Sequence, residues 1–199
     1  DTSKGKTETS GFSTALNFDK WAFNFDYNKN VGYYLNNSLN PSPQPNGTII
    51  FPDFTTNTIH LDIGYLTNSN FSLKALTSLT ERQLKSSGSF IPFARISYFN
   101  TIQKQTDLIP FDRTDNYQAV LGLSYNHKFV IYEYYYIGAV ASLGYGVIHS
   151  DITGSSRPDF NVSNSVIAYG YGVNLGYNAK RIFAGAVFNY RMFDYRTDR

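Results

Sequence analysis

Apolar and polar residues alternate along most of this chain. In residues Ile167 to Tyr177, the side chains of Ile167, Tyr169, Tyr171, Val173, Leu175 and Tyr177 point one way, while Ala168, Gly170, Gly172, Asn174 and Gly176 point the other. A period of two is the signature of a strand, because successive side chains leave opposite faces of a sheet. The polar face of this strand is small and uncharged. A sheet facing bulk water normally carries Lys and Glu there, as solubilising and anti-aggregation devices. An aliphatic and aromatic face opposite a charge-poor polar one suits a strand between lipid and an enclosed lumen.

The same rhythm recurs along the chain. Trp21, Phe23, Phe25 and Tyr27 alternate with Ala22, Asn24, Asp26 and Asn28; Ile59, Leu61, Ile63 and Tyr65 alternate with His60, Asp62 and Gly64. Further rows are predicted at Phe71 to Leu79, Ala94 to Tyr98, Tyr117 to Tyr125, Tyr135 to Val147 and Ile182 to Met192. With a first strand at Phe12 to Phe18, the pattern predicts nine strands. Tight turns are expected at Asp19-Lys20, Asn68 to Asn70, Asn126 to Phe129 and Asn178 to Lys180, where Asn and Asp tolerate turn geometry. Long polar loops are expected at Asn36 to Asn57, Thr101 to Asn116 and His149 to Asn164. Short turns at one end and long loops at the other are the asymmetry of outer-membrane barrels. One conflict stands: the Glu81 to Ser89 connection and the Thr101 to Asn116 loop fall on opposite sides and break the alternation, so either a strand is hidden between 82 and 116 or one loop is misplaced.

Composition strengthens the membrane reading. Aromatic residues make up 17% of the 199 residues and charged residues only 16%, against a usual charged share of about 25%. The mean hydropathy of −0.32 resembles that of a soluble protein, but barrel strands carry a polar residue at every second position. No run of about 18 apolar residues is present for a transmembrane helix. A net charge of +2 with scattered Lys and Arg gives no field suited to nucleic acid. The absence of cysteine removes disulfides and thiol chemistry. The chain reads as one domain, 1–199, and the odd strand number makes it an incomplete barrel at one or both ends, because complete bacterial barrels have even counts.

Several segments carry a family resemblance: KGKT (Lys4 to Thr7), VGYYLNN (Val31 to Asn37), Phe51-Pro52, NFSLKALTSLTERQLKSSGSF (Asn70 to Phe90), LGLSYNHKF (Leu121 to Phe129) and GYNAKRIFAG (Gly176 to Gly185). Together they resemble an uncharacterised family of Gram-negative outer-membrane β-barrels known only as a domain of unknown function. The resemblance covers nearly the whole chain and is most specific at Phe71 to Phe90. It implies a location and a fold, with more barrel before the KGKT-like segment and a closing strand after this one, but no reaction and no ligand.

With the apolar rows outward, Asp26, His60, Asp62, Lys74 and Arg95 are expected to project into the lumen as a charged cluster. Either they form a selectivity or binding cluster, or they are a structural network, since ions away from bulk water need partners. Opposite them, Gly138, Gly144, Gly146, Gly170, Gly172 and Gly176 form a wall of small residues that leaves room for a passage, or for an inward-folded loop or plug. Trp21, Tyr125, Phe129, Tyr132 and Tyr177 suit an interfacial aromatic girdle. His60 and Asp62 are the nearest approach to a base and its orienter, with no nucleophile fixed by spacing. The GKT of Lys4 to Thr7 lacks the strand-to-helix context of a phosphate-binding loop. Gly170, Gly172 and Gly176 lie inside a strand, not at a dinucleotide-binding turn.

The expected fold is therefore an all-β antiparallel transmembrane barrel of about ten to fourteen strands in the full protein. The expected function is non-enzymatic: a structural or interaction subunit of an envelope assembly, or a narrow solute channel. No metal or cofactor is expected, and the expected partners are outer-membrane lipid and other envelope proteins. An outer-membrane hydrolase acting on lipid or peptide, and a soluble secreted β-sandwich binding protein, are the alternatives.

Overall fold

The computed structural model describes residues 7–35, 49–77, 80–103, 111–154, 158–179 and 182–196. Among them, eight strands follow one another: β1 (Glu8–Phe18), β2 (Trp21–Leu35), β3 (Ile49–Tyr65), β4 (Ser87–Ile102), β5 (Arg113–Ile131), β6 (Tyr135–Thr153), β7 (Phe160–Asn178) and β8 (Phe183–Arg196). One helix, α1 (Leu73–Thr77), lies between β3 and β4. Every strand pairs antiparallel with its sequence neighbour, giving one sheet in the order β1 to β8. The sheet curls into a half-barrel: the Arg95 guanidinium on β4 lies 5.5 Å from the centroid of the Phe193 ring on β8, across the concave face.

Side-chain parity sorts the two faces cleanly. The convex face carries the predicted apolar rows, with Leu121, Leu143 and Tyr145 at 71%, 62% and 61% exposure. The concave face is closed by two apolar clusters. Val120, Ile148, Val166 and Ala168 form one, backed by Phe93, Phe99 and Phe193. The other joins Ala22 and Ile91 of the sheet to Leu66, Phe71 and Leu76 of the β3–β4 connection.

That connection corrects the expected strand at Phe71 to Leu79. Ser72 caps α1, its hydroxyl oxygen accepting from the Ala75 backbone N–H at 3.0 Å, as a helix start requires. Leu76 breaks the period of two and is turned inward, 1% exposed. Among the described residues eight strands therefore replace nine, and the conflict over the connections disappears: the Asp19-Lys20 turn, the α1 segment, the turn at 132–134 and the junction of β7 with β8 all fall at one end.

Two further expectations shift. The turn expected at Asn126 to Phe129 lies at 132–134, where Tyr132 and Glu133 both have positive φ, the conformation of a tight hairpin. Asn126 and Lys128 are inward strand residues, 6% and 1% exposed, so their polarity marks the concave face and not a turn. The strands also reach further into the expected long loops than predicted, because polar residues continue the ladders: Asn57 pairs with Asn100 and Asn116 with Ser150. Residues 36–48, 104–110 and 155–157 of the three expected loops, and most of the KGKT segment, lie outside the described residues.

Candidate functional site

Register brings the concave charges together. Asn24 pairs with Asp62, and Asp26 with His60; on the next strand Asp62 pairs with Arg95 and His60 with Ser97. Three strands thus lay down two adjacent inward rows, Asn24–Asp62–Arg95 and Asp26–His60–Ser97. Arg95 Nε donates to Asp62 Oδ1 and its Nη2 to Oδ2 at 3.0 Å. The fork is bidentate, which suits a guanidinium and a carboxylate with little access to water. Their side chains are 9% and 16% exposed.

The other members make weaker ties. His60 Nδ1 and the Ser97 hydroxyl are hydrogen-bonded at 2.7 Å, and the Ser13 hydroxyl donates to Asp26 at 2.5 Å. Ser97 is 2% exposed. The two oxygens of Asp62 are taken by Arg95, so the expected base and orienter, His60 and Asp62, are not joined. A Ser–His pair without a carboxylate on the far ring nitrogen lacks the third member that holds such a base in its working tautomer. Among the described residues no group of three His, Cys, Asp or Glu could hold a metal ion.

Lys74 is not in this cluster. It sits on α1, 3.3 Å from Glu81 within the same connection, and the two side chains are 40% and 48% exposed. Its place is taken by Arg191 on β8, which lies in electrostatic range of Arg95, Asp62 and Asp26. Parity signals this residue, since Tyr190 and Met192 belong to the outward row and Arg191 must face inward.

All six expected wall glycines have the inward parity of β6 and β7, and the space beside them is partly filled. A Cβ at Gly138 would overlap Leu76 Cδ1 of α1. One at Gly176 would meet the Tyr136 hydroxyl at 2.5 Å, and one at Gly144 would meet Val120 at 2.8 Å. At Gly138 the occupant is the inward-folded connection itself, which forms a plug at the tight-turn end. Side chains from the strands clasp its backbone carbonyls. Lys128, 1% exposed, donates from Nζ to the Ala75 carbonyl and lies 4.0 Å from the Tyr136 ring centroid. Asn178 donates to the Glu81 carbonyl at 3.3 Å.

The plug also carries a titrating tie of its own. The Ser72 hydroxyl donates to Glu81 at 2.7 Å; this bond first, and the Lys74 ammonium second, hold the Glu81 carboxyl below its ordinary value. A lowered carboxyl pKa in the folded state means the tie is complete above the unfolded value and is lost as pH falls through the folded one. An NMR titration is expected to show the Ser72 and Ala75 amides moving with a midpoint below that of a free glutamate. A midpoint at or above the free value would remove the tie.

Between plug and charged rows lies a cavity of about 440 Å³. It is the feature most suited to a ligand. No curated protein and no solved structure matches the chain. One family model does, described as Domain of unknown function (DUF4421) and matching residues 1–199. The chain, a curled antiparallel sheet with a plugged concave face, therefore belongs to the DUF4421 family of domains of unknown function.

Proposed function

We propose that the half-barrel is the strand wall of a transmembrane β-barrel in a Gram-negative outer membrane, acting without catalysis as a structural or interaction component of an envelope assembly. The supporting observation is the convex face. On β6 the outward row runs from Tyr135 to Val147 with no charged residue, spanning roughly 40 Å at about 3.3 Å per residue. At the strand tilt of about 45° usual in such barrels, that row covers the apolar band of about 25 Å that meets lipid. Large apolar side chains this exposed, on strand after strand of one face, need a covering phase.

Charge returns where the band would end. Towards the loop end, Arg113 Nη2 donates to Asp115 at 2.8 Å, and His149 stands 3.2 Å from Asp151, all on outward positions. At the other end lie Trp21 and Tyr65, 5.0 Å apart, and Tyr135 and Tyr177, 5.2 Å apart, as an interfacial girdle would have them. A narrow solute channel is the second reading, supported by the cavity and opposed by the plug.

Leu121 gives the test. At the centre of a lipid-facing band, Leu121→Arg is expected to cost about 2–4 kcal/mol in a bilayer. On the water-facing surface of a soluble sandwich the same change stays within about 0.5 kcal/mol. Denaturant titration in lipid vesicles measures the difference, and a near-neutral result would overturn the membrane reading. Planar-bilayer conductance then separates channel from assembly component.

A further inference from the structure

The cavity lining has two characters. Towards α1 it is apolar, with Leu76, Ile91 and Phe93; elsewhere it presents Asp62, Arg95 and Arg191. Two of these charges neutralise each other in the bidentate pair. Arg191 is different. Among the described residues its guanidinium makes no hydrogen bond and no ion pair, and it remains accessible. A guanidinium carries five donors in a rigid fork that matches a carboxylate.

An unused fork beside an apolar recess specifies a ligand with one anionic end and one apolar body. The lining supports both requirements. Asp62 is already satisfied by Arg95, and Asp26, in electrostatic range of Arg191, accepts from Ser13 and stands outside the lining, so the charged groups that line the cavity sum to one positive charge. The volume lies in the range of pre-formed small-molecule sites, which are mostly apolar with a few placed polar groups. We propose that this cavity binds a small organic carboxylate, its carboxylate on Arg191 and its apolar body between Leu76, Ile91 and Phe93. The site depends on the concave face alone, so it stands or falls separately from the membrane reading.

The test is equilibrium dialysis of radiolabelled 2-naphthoate against the whole chain in its lipid or detergent carrier, with protein-free carrier as the blank. Saturable binding at one site is expected. Charge-assisted hydrogen bonds set the size of the effect: 2-naphthamide, and the Arg191→Gln protein with naphthoate, should each bind about tenfold more weakly or worse. Arg191→Lys should retain part of the affinity. Ile91→Trp, which fills the apolar end, should weaken naphthoate and naphthamide alike. Uptake no greater than the blank, equal affinity for acid and amide, or binding unchanged in Arg191→Gln would each overturn the proposal. Should Arg191→Gln fail to fold, the acid-against-amide comparison on the unaltered protein decides alone.

Discussion

Asp62→Ala is expected to cost about 3–5 kcal/mol, the range for removing one partner of a buried ion pair. The cost comes from what is left behind. Arg95 is 8% exposed and lies between the Phe93 and Phe193 rings, 6.0 and 5.5 Å from their centroids. Without the carboxylate its guanidinium keeps those rings but loses both acceptors. The pair itself contributes much less than this, because desolvating two ions offsets most of their attraction. The double change Asp62→Leu with Arg95→Met is therefore expected to be close to neutral. Urea unfolding of the three proteins measures the contrast, and a single change costing under about 1 kcal/mol would show that water reaches Arg95.

Leu76→Ala is expected to cost about 2–5 kcal/mol, by lost burial and by the cavity it leaves. Leu76 is 1% exposed and packs with Ala22, Leu66, Phe71 and Ile91. Because its helix is a short segment laid on the sheet, the loss should fall on the plug before the strands. Amide exchange in the α1 segment should accelerate while the β5–β6–β7 ladders keep their protection. Equal acceleration throughout would mean that plug and sheet unfold as one unit.

Much of this architecture was legible in the alternation, because a half-buried strand writes its two faces into the sequence directly. The failures lie where a residue has two readings. Phe71, Leu73 and Ala75 satisfy a period of two, but Leu76 does not, and Ser72 with the Ala75 amide three residues on is a helix start. The helix is too short for a period of 3.6 to show. Asn126 looked like a turn residue because asparagine serves turns and polar interior faces equally well. The site was half legible: parity alone placed Asp26, His60, Asp62 and Arg95 on one face. Which of them touch depends on register, fixed by hairpin geometry that composition does not reveal. Lys74 was carried into the cluster by the mistaken strand. Arg191 was missed because only the outward row of its strand was followed.

The plug has a consequence for the order in which the chain can assemble. Each hairpin of the sheet joins sequence neighbours and can zip up as a local event. The α1 segment cannot, because the Asn174 side chain that donates to the Leu76 carbonyl at 3.5 Å is 98 residues further along the chain. Closing a loop of that length has an entropic cost that only finished neighbours can repay. The packing of Leu76 on Ala22 and Ile91 can form once β2 and β4 are in place, but the plug is fastened from its far side only when β7 has joined, so its last tie comes late in assembly.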